Sequence, residues 1–335
     1  MMKVNKGLVI MLIVAMVVCL SFAVTATAKT KVLKLNSTAP KDHFVGKNLD
    51  ALVEAVKKAS NGELEVQHFP SSQLGGERES LEALKLGTLH MATGSDGIMG
   101  AFVPDWKILS MPFLIQDMDE YKKMLASPMG EKLKQSTEKY GFKVLGSSII
   151  AFRYPTNNIR AITSPSSFKG LKMRTQENPV QMEMMKALGA SATAVPWPDL
   201  YSALQTGLVE GQMNEFGAVA YRKFYEVQNY VTEMPMIPCT TQLLISKRVW
   251  EGLSAAHQKI LQDAVTDAWN AVEAQGVAKE LGYKKEIIDT NQIKLNVLST
   301  EQYPAFVKAF QPVYEYVLKT TPAVKPYYDF LMKQK

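Results

Sequence analysis

The chain repeats one pattern: a short apolar strand, a helix of 3.6-residue periodicity, and a glycine or asparagine where the helix stops. Lys31 to Asn36 alternates apolar and charged residues through Val32, Leu33 and Leu35, which predicts a strand. A polar loop from Thr38 to His43 leads into a helix marked by Leu49, Leu52, Val53 and Val56 and closed by Asn61-Gly62. A strand over Leu64 to Phe69, a helix carrying Leu81, Leu84 and Leu86 and ended by Gly87, and a strand at Met91-Ala92-Thr93 follow. Trp106 to Leu114, with Pro112 inside it, is a further apolar segment. Strands separated by helices imply an α/β domain with a largely parallel sheet, in which ligands meet the loops at strand carboxyl ends.

Near residue 150 the pattern restarts. Lys143 to Ile150 is a predicted strand, Ala151 to Arg160 a polar turn, Leu171 to Thr175 a strand, and Val180 to Leu188 a helix ending at Gly189. A domain crossing is placed there and a return crossing near Cys239, after which Leu243-Leu244-Ile245 forms a strand. From Ser254 to about Gly276 an amphipathic helix carries Ile260, Leu261, Val265, Trp269 and Val272, with Ser254 as its cap. Such a helix either ties two domains together or lies on one surface.

The amino terminus sets the compartment. Lys3 and Lys6 precede an apolar run from Gly7 to Val24, and Ala26-Thr27-Ala28 supplies small residues at a cleavage position, so residues 1–28 read as a secretory signal cut after Ala28. The competing reading is an uncleaved anchor, since spanning needs roughly 20 apolar residues. Cys19 follows Val17 and Val18, where lipidation would need small residues. Removing 28 of 335 residues leaves 307, enough for two domains, and lowers the formal charge from +6 to +4. The basic residues are scattered, which argues against nucleic-acid or membrane-surface binding. Only Cys239 survives cleavage, so an internal disulfide is excluded, and this lone thiol reads as a small buried hydrophobe.

An enzyme needs a recognisable constellation, and none is present. His43, His68, His90 and His257 are widely separated and read as surface or core histidines; there is no HExxH, no CxxC and no metal-ligand spacing. No GxSxG elbow or phosphate loop occurs, and Gly94, Gly97 and Gly100 have the wrong spacing for a dinucleotide fingerprint. The turn Gly94-Ser95-Asp96-Gly97 is as readily a tight loop as a place where backbone and Ser95 approach a ligand. Arg153 and Arg174 sit at or just after strands in the crossing region, with Asn158 and Asn178 nearby. A guanidinium pairs bidentately with a carboxylate, phosphate or sulfonate, or forms an ordinary internal ion pair.

Residues 165–230 contain the blocks KGLKMR, ALGA, YSALQTGLVEGQ and FYEVQNY, and residues 69–79 read FPSSQLGGERE. In order and spacing these resemble the extracytoplasmic solute receptors of TRAP transporters, the DctP-type family, over a span from about Val32 to near the carboxyl terminus. The resemblance implies a two-lobed periplasmic binding protein fold with an interdomain cleft and a long helix crossing both lobes. It implies lobe I from residues 29–151 with 240–279, and lobe II from residues 152–239 with 280–335. By position, Arg174 matches the arginine that grips the ligand's acid group. Arg153 resembles a second basic contact, and Asn214 matches an asparagine on the same acid group. Trp197 falls where sialate-binding relatives place an aromatic wall, and Ser95 completes the expected cage.

The sequence departs from the family's DGQENP, reading EGQMNE with Glu210, Met213 and Glu215 changed around Asn214. Gly76 and Ser95 stand where sialate-binding relatives carry carboxylates, which argues against sialic acid. What the resemblance implies is a monomeric receptor that needs no cofactor or metal. It captures a small organic anion, a carboxylate or a small sulfonate such as isethionate or taurine, and hands it to the small and large TRAP membrane subunits. Trp197 also offers a stacking face to an aromatic acid. A periplasmic enzyme on a similar scaffold and the receptor of another importer class are the alternatives.

Overall fold

The computed structural model describes residues 30–335. The signal segment predicted over residues 1–28, with Cys19, lies outside these residues. The first lobe opens with β1 (Lys31–Asn36), α1 (Phe44–Ala59), β2 (Leu64–Phe69), α2 (Glu77–Leu86), β3 (Met91–Ser95) and α3 (Asp96–Phe102). β1 pairs in parallel with both β2 and β3. Leu33, Leu35, Leu64 and Val66 bury themselves against Leu49, Leu52 and Val56 of α1, the stripe that the helical spacing identifies. α2 stops at Gly87, whose φ of 77° is open to glycine at no steric cost. The segment around Trp106 forms a mostly buried 3₁₀ helix of seven residues, Pro104–Ser110, with the indole N–H donating to Leu133 O at 3.0 Å.

The two halves of the molecule share one strand. β4 (Phe142–Asn157) runs for 16 residues without a break, so the turn expected over Ala151–Arg160 is corrected: strand continues through Asn157. The polar letters that suggested a turn belong to buried side chains with partners inside the protein. Arg153, Thr156 and Asn157 are each at most 4 % exposed, and the Thr156 hydroxyl donates to Gln228 at 2.8 Å.

β5 (Lys172–Thr175), α4 (Pro179–Ala187), β6 (Ser191–Ala194), β7 (Gly211–Asn214) and α5 (Phe216–Tyr221) build the second lobe. β8 (Tyr230–Glu233) leads to β9 (Ile237–Ser246), which returns along β4 in antiparallel register, Arg153 opposite Ile237 and Phe142 opposite Ser246. The sheet is therefore mixed rather than largely parallel. Its order is β2-β1-β3-β9-β4-β7-β5-β6, parallel at both ends and antiparallel where β9 and β4 join them. Helical crossovers make parallel neighbours, whereas extended strands that go out and come back make antiparallel ones.

α6 (Ala255–Asp289) is 35 residues long, well beyond the limit expected near Gly276. Ser254 caps it, accepting from His257 N at 3.2 Å. Past Gly276 the apolar stripe dissolves, with Val277, Leu281 and Ile288 exposed, so periodicity gave no sign of the extension. The helix packs on α1, β4 and α5 and so touches both lobes. Gly146 in β4 permits this approach, because a Cβ there would lie 2.9 Å from both Trp269 and Val265. The carboxyl-terminal helices close the core, with Phe306, Phe310 and Tyr327 packed into the cluster that holds Trp106, Phe113 and Met184. β10 (Lys294–Val297) adds a parallel partner to β8.

Candidate functional site: a cleft between the lobes

A cleft of about 660 Å³, its open mouth included, lies where the lobes meet, and all five candidates from the sequence line it: Ser95, Arg153, Arg174, Trp197 and Asn214. Three of them arrive at strand carboxyl ends, as α/β geometry favours, while Arg153 lies within β4 and Trp197 in the loop after β6. Ser95 ends β3, Arg174 is the penultimate residue of β5, and Asn214 ends β7.

The two arginines are not equivalent. Arg153 donates Nη2–H to Asp96 Oδ1 at 3.0 Å and Nη1–H to Asn214 Oδ1 at 2.6 Å, with Asp96 wholly buried. Burial works against its charge, but Asp96, with Cys239 and Glu215 beyond it, holds the guanidinium above its usual range. Arg153 Nε and Asp96 Oδ2 have no partner among the described residues. The internal ion pair that competes with a ligand role for any arginine is thus formed by Arg153.

Arg174 has no such counter-ion. Its Nε–H donates to Val195 O at 2.9 Å, and its two terminal nitrogens have no protein partner among the described residues although the side chain is 4 % exposed overall. Burial, then repulsion from Arg153, pushes its pKa down to about 9, with Glu77 acting the other way. It remains cationic at neutral pH, and an uncompensated buried cation favours an incoming anion.

Asn214 is already engaged, accepting from Arg153 and donating to Gln212 Oε1 at 2.5 Å. The altered loop behind it has a clear physical use. Glu215 accepts from Cys239 Sγ at 3.1 Å, which is where the lone buried thiol resides. Glu280 of α6 accepts from the backbone N–H groups of Phe216 and Gly217 at 3.0 and 2.9 Å, tying the long helix to this loop. Burial and the neighbouring Glu215 push the Glu280 pKa up to about 8.

Trp197 forms a half-buried wall, edge-on to Tyr221 and Phe224 at centroid distances of 6.3 and 5.8 Å, with the Arg222 guanidinium over its ring at 5.1 Å. Opposite chemistry surrounds Ser95. Its N–H and hydroxyl donate to the two Glu77 oxygens at 2.7 and 2.9 Å, and its hydroxyl accepts from Gln176 Nε2 at 2.7 Å. Gly76 and Ser95 bring no carboxylate to the cleft, but Glu77, the residue after Gly76, places one in its wall. It is legible in the block FPSSQLGGERE once Gly76 is seen as the helix cap and Glu77 as the first residue of α2. Burial raises the Glu77 pKa, opposed by the Ser95 hydrogen bonds and Arg153.

Polar side chains link the two lobes beside the cleft. Gln176 reaches Ser95, Arg78 pairs with Glu177, and Asn178 Nδ2 donates to Gly97 O at 2.8 Å and Ser110 Oγ at 3.0 Å. Asn178 thereby doubles as the cap of α4, while Asn158 lies away from the cleft on Asn229.

His43, a surface or core histidine on the sequence, is buried and also borders the cleft. Burial, assisted by Lys279 and opposed by Asp42, pushes its pKa down to about 4. A folded pKa below the unfolded value of about 6.5 contributes stability that is complete above pH 6.5 and is lost as pH falls towards 4. The wild type is expected to lose about 3 kcal/mol from this group across that window, and a His43→Gln variant to show a correspondingly shallower fall in thermal melts.

Among the described residues no three His, Cys, Asp or Glu side chains are grouped to hold a metal, and no helix is long and apolar enough to cross a membrane. Two lobes sharing β4 and α6, a cleft walled by both and a buried unpaired cation within it define a ligand-clamping receptor. The chain belongs to family 7 of the bacterial extracellular solute-binding proteins, DctP, whose model matches residues 35–321. It is 32 % identical over 289 residues to a solute-binding protein of Verminephrobacter eiseniae, covering 86 % of this chain and 85 % of that one. A TRAP periplasmic solute-binding protein from Polaromonas, solved with D-erythronate, is 31 % identical and superimposes with a TM-score of 0.84 over 90 % of this chain and 98 % of its own. One from Sulfurospirillum deleyianum, solved with succinate, is 27 % identical with a TM-score of 0.86, over 92 % and 100 % of the two chains.

Proposed function

We propose that this chain is the periplasmic receptor of a TRAP transporter, exported with removal of residues 1–28, and that its cargo is a small hydroxylated carboxylate of the D-erythronate kind. The observation that carries this reading is the buried Arg174, whose terminal nitrogens face the cleft without a counter-ion. A carboxylate satisfies that fork with two parallel hydrogen bonds. Glu77 then discriminates along the rest of the ligand. Sugar-acid hydroxyls can donate to its carboxylate, whereas the second carboxylate of succinate meets a like charge. Isethionate and taurine match Arg174 but offer one hydroxyl or an ammonium in place of several hydroxyls.

Capture proceeds by binding to one lobe and closure of the other. Lobe I comprises residues 29–151 with 240–279, and lobe II residues 152–239 with 280–335, hinged at β4, β9 and α6. A ligand shifts the open–closed balance only as far as it prefers the closed form, and contacts from Glu77 and Ser95 on one side and Arg174 and Trp197 on the other supply that preference. The closed receptor docks as a monomer on the small and large membrane subunits, and binding rather than turnover is its task.

A thermal-shift screen of D-erythronate, succinate, isethionate, taurine and sialic acid tests the reading. D-erythronate at 100 times its dissociation constant is expected to stabilise the protein by about 2.7 kcal/mol and to outrank succinate and the sulfonates. A shift from isethionate or taurine alone would replace the carboxylate with a sulfonate. Chemical conversion of a bound acid would replace the receptor with an enzyme.

A further inference from the structure

We propose that His43 is a specificity-determining residue, donating its Nε2–H to an oxygen of the bound hydroxy acid. This rests on the reading of the cargo as an oxygen-rich acid. His43 caps α1, its Nδ1 accepting from Val45 N at 3.4 Å. In the neutral ring that bond leaves the proton on Nε2. The imidazole is 7 % exposed, forms no ion pair with a carboxylate among the described residues, and its Nε2 has no hydrogen-bond partner among them. The open space it borders is the cleft. The Nε2–H is reached from the cleft and has no protein acceptor among the described residues, so an oxygen of a ligand in the cleft is the group that can accept from it.

The ring is held in place by both lobes. Phe44 lies 4.5 Å away within the first lobe, and Tyr221 of α5 lies 4.9 Å away in the second. Tyr283 of α6 is nearly parallel to it at 6.1 Å. The cap bond and Phe44 orient the ring within the first lobe, and Tyr221 and Tyr283 pack against it from the other side. A site built to donate a hydrogen bond rejects analogues that present a methylene or an ammonium at that position. The surrounding charged and titratable groups, Asp42 on its own loop, Lys279 and Tyr283 on α6 and Tyr221 on α5, leave the ring neutral at physiological pH.

The test is calorimetric titration of the mature chain with D-erythronate, comparing wild type, His43→Leu and His43→Gln. Leucine keeps the bulk and removes the donor, so affinity should fall about 10-fold or more; glutamine restores an N–H and should stay within a few-fold of wild type. Equal affinity in His43→Leu overturns the assignment. Nitrogen-15 NMR of the ligand-free wild type provides a readout that needs no ligand: a neutral ring with its proton on Nε2 supports the proposal, and a proton on Nδ1 or a cationic ring at pH 7 overturns it. Absence of D-erythronate binding in the wild type defeats the hydroxy-acid reading, while the NMR result still decides whether His43 is a donor.

Discussion

Arg174→Ala is expected to weaken D-erythronate binding by about 30-fold to several thousand-fold, corresponding to about 2–5 kcal/mol. The loss is large because both members of the pair are desolvated: without the guanidinium, a carboxylate must enter the cleft beside Glu77 with only neutral donors and an Arg153 already neutralised by Asp96. Arg174→Lys should recover part of this, since it returns the charge without the planar fork or the bond to Val195 O. Titration calorimetry on the three proteins measures it. Affinity in the alanine variant within three-fold of wild type would remove Arg174 from the site.

The second large effect concerns folding. Asp96→Ala should cost about 3–5 kcal/mol of stability, because it removes the one carboxylate hydrogen-bonded to the buried Arg153 guanidinium among the described residues and leaves only the more distant Glu215. The Thr240 N–H, which donates to Asp96 Oδ1 at 3.2 Å, loses its acceptor too. The double variant Asp96→Leu with Arg153→Met should regain most of the loss, since removing both charges relieves the desolvation that removing one exposes. Denaturant midpoints of the two variants decide this, and equal destabilisation in single and double variants would mean that the ion pair does not dominate. The contrast between the arginines follows from their partners. Arg153 is a cation held by Asp96 within the strand the lobes share, and on the proposed reading Arg174 is the cation left for the ligand.

How far the sequence reaches depends on which physical signal a segment carries. β1, β2 and α2 are legible because their apolar periodicity is local and their ends are marked by glycine or a polar loop. β4 is not legible beyond Ile150, since its distal half hides Arg153, Thr156 and Asn157 inside the sheet. Polarity signals solvent only where no internal partner waits. The extension of α6 past Gly276 escapes for the converse reason, that exposed Val277, Leu281 and Ile288 break the stripe.

The five site candidates converge on one cleft because family-like blocks fix their positions, yet their partners are set by contacts remote in sequence. Nothing in the neighbourhood of Arg153 announces Asp96, 57 positions away. Glu77 was within reach, one residue beyond a glycine already singled out. His43 was not, because a lone histidine after a polar loop carries no mark of the aromatic rings that Tyr221 and Tyr283 bring to it.

The most direct measurement is a crystal structure of the mature chain grown with D-erythronate. The carboxylate should be held by both terminal nitrogens of Arg174, with a hydroxyl directed at Glu77 and the lobes in contact through Gln176 and Ser95. A carboxylate seated elsewhere in the cleft with the Arg174 fork empty, or an unliganded cleft at saturating D-erythronate, would contradict the account.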